Sequence, residues 1–398
     1  MKDKLTITMI ALFLPVLFTL LLPLSCRADE TAAVEMLCLN IGKADCILLR
    51  TGNQNFLVDA GDDFTYPALE TALKEMGIRC LNGVFLTHCD KDHYGGLLEL
   101  SKSGIQVEHW YASDKYISFT EAEHPLRLAA VIRGMRVEWL KAGDCIPLAD
   151  GSEWRVLGPD QLNTDNENNN SLVLMLVTPY GNILLTGDMK LEEEKNVLES
   201  GMLLPCKVLK AAHHGDNNAT SQQLLQKVRP QLTVISTFSP QEPDTPSKEV
   251  LRRLIQSGSR VAVTQDYHDA VKIRLDENGQ IIFEDVIWPG IPEKVTGLTL
   301  KVDLETDRVT VQNQSGQDIN LNQYTLFSDR GGEEFTFSDT ELKNGCSVTI
   351  GSKKSGDHPA DLYFSGKKRI WEKKKRDVAL LVDPHGRIVS YSDNGISE

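Results

Sequence analysis

The sequence predicts an α+β chain: a sandwich of two mixed β-sheets with helices on its outer faces, followed by a second, all-β sandwich. From residue 34 to residue 286, short apolar runs of strand length alternate with amphipathic stretches of helical period, the pattern of sheets covered by helices. After Trp288-Pro289-Gly290-Ile291-Pro292 the helical stretches stop, and short strands recur between turn residues. Several apolar runs of the first part begin or end on a polar residue, so one edge of a sheet would gather those side chains.

Residues 1–28 read as an export signal. Lys2 and Lys4 precede an uncharged apolar run over 5–24, and Ser25 to Ala28 supply small residues where a signal peptidase needs them. Two readings compete with cleavage. The run is long enough to approach a membrane anchor, and Leu24-Ser25-Cys26 is close to a lipobox, with Pro23 where that motif usually has Leu, which would lipidate Cys26. The expected location is secreted or at the cell surface.

A first domain is expected over 32–290. Its strands fall at 34–39, 46–49, 56–58, 84–86, 172–177, 183–185, 232–235 and 261–263, and its helices at 67–76, 126–132, 192–200, 221–228 and 246–257. Early strands are joined by short turns and later ones by helices, which makes both sheets mixed. A second domain is expected over 296–398, with strands at 298–302, 308–313, 324–327, 347–350, 361–364, 378–382 and 388–391, enough for a β-sandwich.

Composition bounds the function classes. Apolar content of 41% and charged content of 25% match globular usage and exclude a fibrous or disordered chain. The net charge of −14 disfavours long-range attraction to phosphate backbones. Its one dense basic patch is Lys367, Lys368, Arg369, Lys373, Lys374, Lys375 and Arg376, with Trp371 between the two clusters. That patch reads either as an aromatic-plus-cation face for nucleic acid or an anionic cell-surface polymer, or as a solvated loop. The eight cysteines, one of them in the leader, have no regular spacing, and Cys38, Cys46, Cys80 and Cys206 lie in apolar stretches, so no disulfide framework is expected.

The chemistry concentrates in Thr87-His88-Cys89-Asp90-Lys91-Asp92-His93-Tyr94-Gly95-Gly96, directly after the apolar run 83–86. Two imidazoles and two carboxylates within six residues offer nitrogen and hard oxygen donors, a mixture suited to divalent metals used in hydrolysis. Four further segments put polar residues at strand ends: Val58-Asp59-Ala60-Gly61, Asn168-Asn169-Asn170-Ser171, Leu184-Leu185-Thr186-Gly187-Asp188 and Lys210-Ala211-Ala212-His213-His214-Gly215. Of the adjacent His213 and His214, which normally face different ways, one is expected as a ligand and the other as a substrate or supporting contact. His109, His124, His268, His358 and His385 read as surface or loop residues.

Together these segments resemble the metallo-β-lactamase superfamily, with its αββα sandwich, and within it the nuclease-like domain of the ComEC competence-channel family. The likeness covers residues 34–285 and includes Asn40-Ile41-Gly42-Lys43-Ala44-Asp45, similar to that family's "DVGQGD". The resemblance implies two divalent ions, zinc or manganese. His88 and Asp90 would hold the first, Asp92 and His93 the second, Asp188 would bridge them, and His213 or His214 would complete the second position. Asp59 would lie beneath and orient the ligand loop. Asn168, Asn170 and Ser171 occupy the segment where many members carry another His, which makes the first position oxygen-rich. Thr245 stands where the competence family commonly has a His that would contact substrate, and Gly215-Asp216 replaces a frequent Gly-Ser.

The implied activity is hydrolysis of a phosphodiester, DNA foremost, by a hydroxide shared between the two ions, with Asp92, His213 and His214 as the catalytic candidates. The alternatives are hydrolysis of an amide, thioester or lactam, and a surface-binding protein with a weakened enzyme site. No transmembrane channel follows the hydrolase segments. The C-terminal residues resemble the lamin-tail domain, an immunoglobulin-like sandwich, on the strength of residues 309–316, 321–326, 362–364 and 378–386.

Overall fold

The computed structural model describes residues 32–352, 359–366, 369–371 and 373–396. The leader with Lys2, Lys4, Pro23 and Cys26, and also His358, Lys367 and Lys368, lie outside them. Among the described residues no helix is long and apolar enough to cross a membrane.

Two mixed sheets face each other across residues 32–286. The eight-stranded sheet runs, edge to edge, Ile281–Val286, Ala270–Asp276, Ala32–Leu39, Cys46–Thr51, Gln54–Ala60, Gly83–Phe85, Trp110–Ser113 and Val137–Leu140. The seven-stranded sheet runs Arg260–Val263, Leu232–Ile235, Val208–Lys210, Ile183–Leu185, Val173–Val177, Glu153–Gly158 and Cys145–Pro147. Each sheet mixes antiparallel and parallel pairings. Ala32–Leu39 pairs antiparallel with the distant Ala270–Asp276, whereas Ile183–Leu185, Val208–Lys210 and Leu232–Ile235 run parallel. One apolar core lies between the sheets, with Phe56, Phe85, Trp154 and Leu174 fully enclosed, and two more lie under the outer helices. Burying one such side chain contributes roughly 1.5–3 kcal/mol, so the sandwich is a stiff frame for the loops at its edge.

The five expected helices are all present, shifted by a residue or two: Tyr66–Glu75, Pro125–Ile132, Leu191–Glu199, Gln222–Val228 and Lys248–Gln256. The last two begin at Ser221 and Ser247, whose side chains accept from the N–H of Leu224 and Val250.

From residue 298 on, strands pair only among themselves within the described residues. Leu298–Asp303, Arg308–Asn313, Ser347–Gly351 and Leu362–Tyr363 form one sheet, and Glu334–Thr336, Thr325–Ser328, Val378–Val382 and Ile388–Asp393 another. They enclose Val309, Leu326, Phe337, Phe364, Trp371 and Leu381. This corrects one expectation. Trp371 is fully buried, edge-on to Phe364, because the small sandwich needs its bulk as core, and it offers no stacking face beside the basic residues. A second correction concerns His124, which is buried rather than on the surface. Its Nδ1 caps the helix Pro125–Ile132 by accepting from Arg127 N–H, and its ring packs on Tyr116 and Trp139. Burial, helped by the charge of Arg127, lowers its pKa to about 4. The cysteines of the described residues are all free thiols.

Candidate metal centre

The ends of the parallel strands Gly83–Phe85, Ile183–Leu185 and Val208–Lys210 meet at one edge of the sandwich and deliver the predicted site residues there. The first strand leads through Thr87 into the short helix Lys91–Tyr94, which carries Asp92 and His93. That helix lies tight against its neighbours. A side chain at Gly95 would collide with the backbone of Asp62 and Asp63, and one at Gly96 with the Ala60 carbonyl, so the Gly-Gly pair is what lets the helix approach. Lys91 pins it from outside through ion pairs of 3.1 Å to both Asp62 and Asp63.

His93 Nδ1–H donates to Asp59 Oδ2 at 2.8 Å, and Asp59 also accepts from the N–H and hydroxyl of Thr87, each at 2.8 Å. Asp59 is buried in a left-handed backbone conformation, with φ of 59°. His214 Nδ1–H donates to the Ser236 carbonyl at 2.8 Å, and His213 Nδ1–H to Asn218 Oδ1 at 2.9 Å. Thr87 Oγ1, its own hydrogen committed to Asp59, is free to accept from His88 Nδ1–H at 3.1 Å. All four rings are therefore held with Nε2 outward, the nitrogen through which each imidazole would bind a metal once free of its proton.

The Nε2 atoms of His93 and His214 converge on two carboxylates. His93 Nε2 lies 3.4 Å from Asp188 Oδ1, and His214 Nε2 lies 3.3 Å from Asp188 Oδ2 and 3.2 Å from Asp92 Oδ2. Ligand atoms of Asp92, His93, Asp188 and His214 all fall within 4.8 Å of one another. The Nε2 atoms of His88, His93 and His214 and Asp188 Oδ1 are buried without a hydrogen-bond partner. Buried polar atoms left in this state are costly, and a divalent cation is the species that nitrogen and carboxylate donors at this spacing suit. The residues fit a metal.

The pair His213-His214 resolves into two roles. Both residues adopt positive φ, 50° and 53°, at a cost of roughly 1–3 kcal/mol each. His214 is turned into the cluster and fully buried, while His213 stays at the rim, with Nε2 4.0 Å from Asp188 Oδ2. The other half of the centre is sparser. His88 Nε2 is 3.5 Å from Asp90 Oδ2, whose side chain is 43% exposed. Among the described residues no third donor joins them in a close group. Asn170 bonds Asn163 and Glu167, the N–H of Asn168 donates to Asn166, and Ser171 Oγ accepts from Asp188 N–H at 3.0 Å. Thr245 is buried, with its hydroxyl bonded to Thr237 and the Glu242 carbonyl.

Electrostatics set the state of the cluster without metal. Burial alone would lower His214, but Asp188 outweighs it, with a further hydrogen bond to Asp92, and the pKa is raised to about 9. His93 is likewise lifted well above its ordinary value, against burial, by Asp188, Asp59 and Asp92. Burial would raise Asp92, yet His93, His214 and Lys43 hold it well below the carboxylate range.

Several functional neighbours were not assigned roles from the sequence. Lys43 Nζ stands 3.5 Å from Asp92 Oδ2. Beneath the cluster, Asp45 and Lys210 form a fully buried ion pair at 2.9 Å. Glu167 accepts from Cys89 N–H and from the Tyr116 hydroxyl, bracing the ligand loop from the side. Lys43, Asp45 and Lys210 lie inside the motif segments, so the available signal was a charged residue within an otherwise apolar strand end.

The sequence model of the Metallo-beta-lactamase superfamily matches residues 39–239. ComE operon protein 3 of Bacillus subtilis (strain 168) is 28% identical over 274 residues, which cover 64% of this chain and 33% of that protein. Competence protein ComA of Neisseria gonorrhoeae is 28% identical over 243 residues, covering 60% of this chain and 32% of its own length. The chain thus spans about a third of the length of these curated relatives. Among solved structures, the metallo-beta-lactamase fold protein YhfI from Bacillus subtilis is 10% identical with a TM-score of 0.39, covering 63% of this chain and 99% of that one.

Proposed function

This chain belongs to the metallo-β-lactamase superfamily, and from that premise we propose that it is an exported, metal-dependent phosphodiesterase acting on DNA or a related phosphodiester. The observation that carries the reading is the convergence of the outward Nε2 atoms of His93 and His214 on Asp188 and Asp92, with the buried Nε2 of His88 beside Asp90. Divalent ions held there, zinc or manganese, would supply Lewis acidity and acidify an attacking water. Asp92, His93, Asp188 and His214 would hold one ion, and His88 and Asp90 with Asp188 the other.

The remaining work falls to side chains. Asp59, the Ser236 carbonyl and Thr87 keep the ligand imidazoles oriented. Asp92 Oδ2 would accept the proton of the attacking water. Lys43, beside Asp92, would neutralise an incoming phosphate oxygen. His213, at the rim, is assigned to substrate. The preference for a phosphodiester is supported by the competence proteins that the chain resembles. Export rests on the basic start and apolar run of residues 1–28. The C-terminal β region is read as lamin-tail-like on the order of its strands, with Lys373, Lys374 and Lys375, all exposed, as its contact to a polyanion.

The test is incubation of the metal-loaded protein with single- and double-stranded DNA, a nitrophenyl phosphodiester and a lactam. The expected result is phosphodiester cleavage that needs added manganese or zinc, with the lactam intact. No cleavage with either metal would sink the reading. A binding protein with a weakened enzyme site is the second reading, favoured by the sparse His88 half and the committed Thr245 hydroxyl. It predicts metal uptake without turnover of any of these substrates.

A further inference from the structure

We propose that the C-terminal β region is a working wall of the metal centre: Asp329, acting through the carboxamide of Gln241, positions the loop that carries Lys43 and Asp45 and, through it, Asp92. The inference rests on the cluster being the metal site described above.

Gln241 is buried and its two polar atoms face different parts of the molecule. Its Oε1 accepts from Lys43 N–H at 2.9 Å, and its Nε2–H donates to Asp329 Oδ1 at 2.9 Å. Asp329 is itself fixed, since its N–H donates to the Val378 carbonyl at 2.9 Å directly after the strand Thr325–Ser328. Arg376 grips the same turn by its backbone, donating to the carbonyls of Gln241 and Pro240. A side chain on Gly42, which has φ of 90°, would collide with Gln241 Oε1 and stand 3.1 Å from Ile388 Cδ1, so glycine is what allows the approach.

From that loop the path to the ligand is short. Asp45 N–H donates to the Asp92 carbonyl at 3.1 Å, and Lys43 Nζ lies 3.5 Å from the Asp92 carboxylate. A second route runs through packing. Phe327, Val378, Leu380, Val382 and Ile388 of the C-terminal region share one apolar cluster with Phe64 and Phe238, and the Phe64 and Phe327 rings lie 4.4 Å apart. Phe64 follows Asp62 and Asp63, the partners of Lys91 on the ligand helix. Both routes end on the elements that carry Asp92 and His93. A tethered accessory module would have no need to make such contacts, whereas a wall that orders ligand-bearing loops would.

Asp329 is thus a positioning residue, and its test is made on the full chain. Asp329→Ala removes the acceptor for Gln241, Asp329→Asn retains an acceptor oxygen, and Lys343→Ala changes an exposed ion pair in the same β region as a control. Zinc affinity by competition with a chromophoric chelator, kcat and KM for a nitrophenyl phosphodiester, and Tm are measured for each. Asp329→Ala is expected to weaken the tighter zinc position by about three- to tenfold and to lower kcat with little change in KM, at nearly unchanged Tm. Asp329→Asn should restore most of both, and Lys343→Ala should match the parent. Should Asp329→Ala fail to fold, Gln241→Met breaks the same bridge from the other side with the same expected effects. A parent protein that binds zinc, with Asp329→Ala or Gln241→Met binding it equally well, overturns this inference alone. A parent protein that takes up no zinc overturns the metal-site reading and this inference with it.

Discussion

The half of the metal centre around His214 and the half around His88 are built at the same sheet edge, yet the fold commits them differently. Around His214, ligands come from both sheets: Asp92 and His93 follow a strand of one, and Asp188 and His214 follow strands of the other. Closing the sandwich brings them within 4.8 Å, and each imidazole is braced by a carboxylate or a carbonyl. Around His88 the partner is Asp90, two residues along the same loop and open to solvent, while Asn170 and Ser171 spend their polar atoms on Asn163, Glu167 and the Asp188 N–H. A preorganised, buried set binds an ion more tightly than a flexible, hydrated one. The difference teaches that this centre should hold one tight and one weak ion.

The largest effect that would break the comparison is Asp188→Asn, which keeps the side-chain volume but removes the charge that His93 and His214 face and that both ions are proposed to share. Metal content by elemental analysis should fall to background, and phosphodiesterase activity by on the order of a hundredfold or more. Asp90→Ala should act on one half only, lowering the metal content by the weaker ion and activity by roughly tenfold. If it removed both ions, the halves would not be independent.

Proton competition sharpens the picture. In the metal-free protein His214 is lifted to about 9, and His93 is also raised, so at neutral pH both carry protons that a metal must displace. Zinc affinity of the tight position should therefore fall as pH drops below 9, by about tenfold per unit for each proton displaced. Titration in buffers of different ionisation enthalpy reads the protons released. The smallest effect belongs to Thr245→Ala. Losing the bonds to Thr237 and the Glu242 carbonyl should cost about 1 kcal/mol in denaturant unfolding and leave metal content unchanged.

What could be read from the sequence follows the same division. Strand ends announce themselves locally, because an apolar run stops at a polar residue, and His88, Asp92, His93, Asp188 and His214 all stand at such ends. The strand Ala270–Asp276 also carries a local signal, alternating buried and half-buried positions, that apolar runs alone did not pick out. The supporting contacts had no local signature. Asp45 finds Lys210 and Gln241 finds Asp329 across long stretches of chain, and these pairings exist only once the sheets and the C-terminal region have packed. Trp371 was misread for the converse reason, since a tryptophan among lysines looks like a surface aromatic until the small sandwich is seen to need it as core.

The most direct test of the central claim is calorimetric titration of chelator-treated protein with zinc. The account predicts two steps, a tight one and a weaker one, with the tight step lost in Asp92→Ala and the weak one lost in Asp90→Ala. An isotherm showing no binding, or a tight step that survives Asp92→Ala, would contradict it.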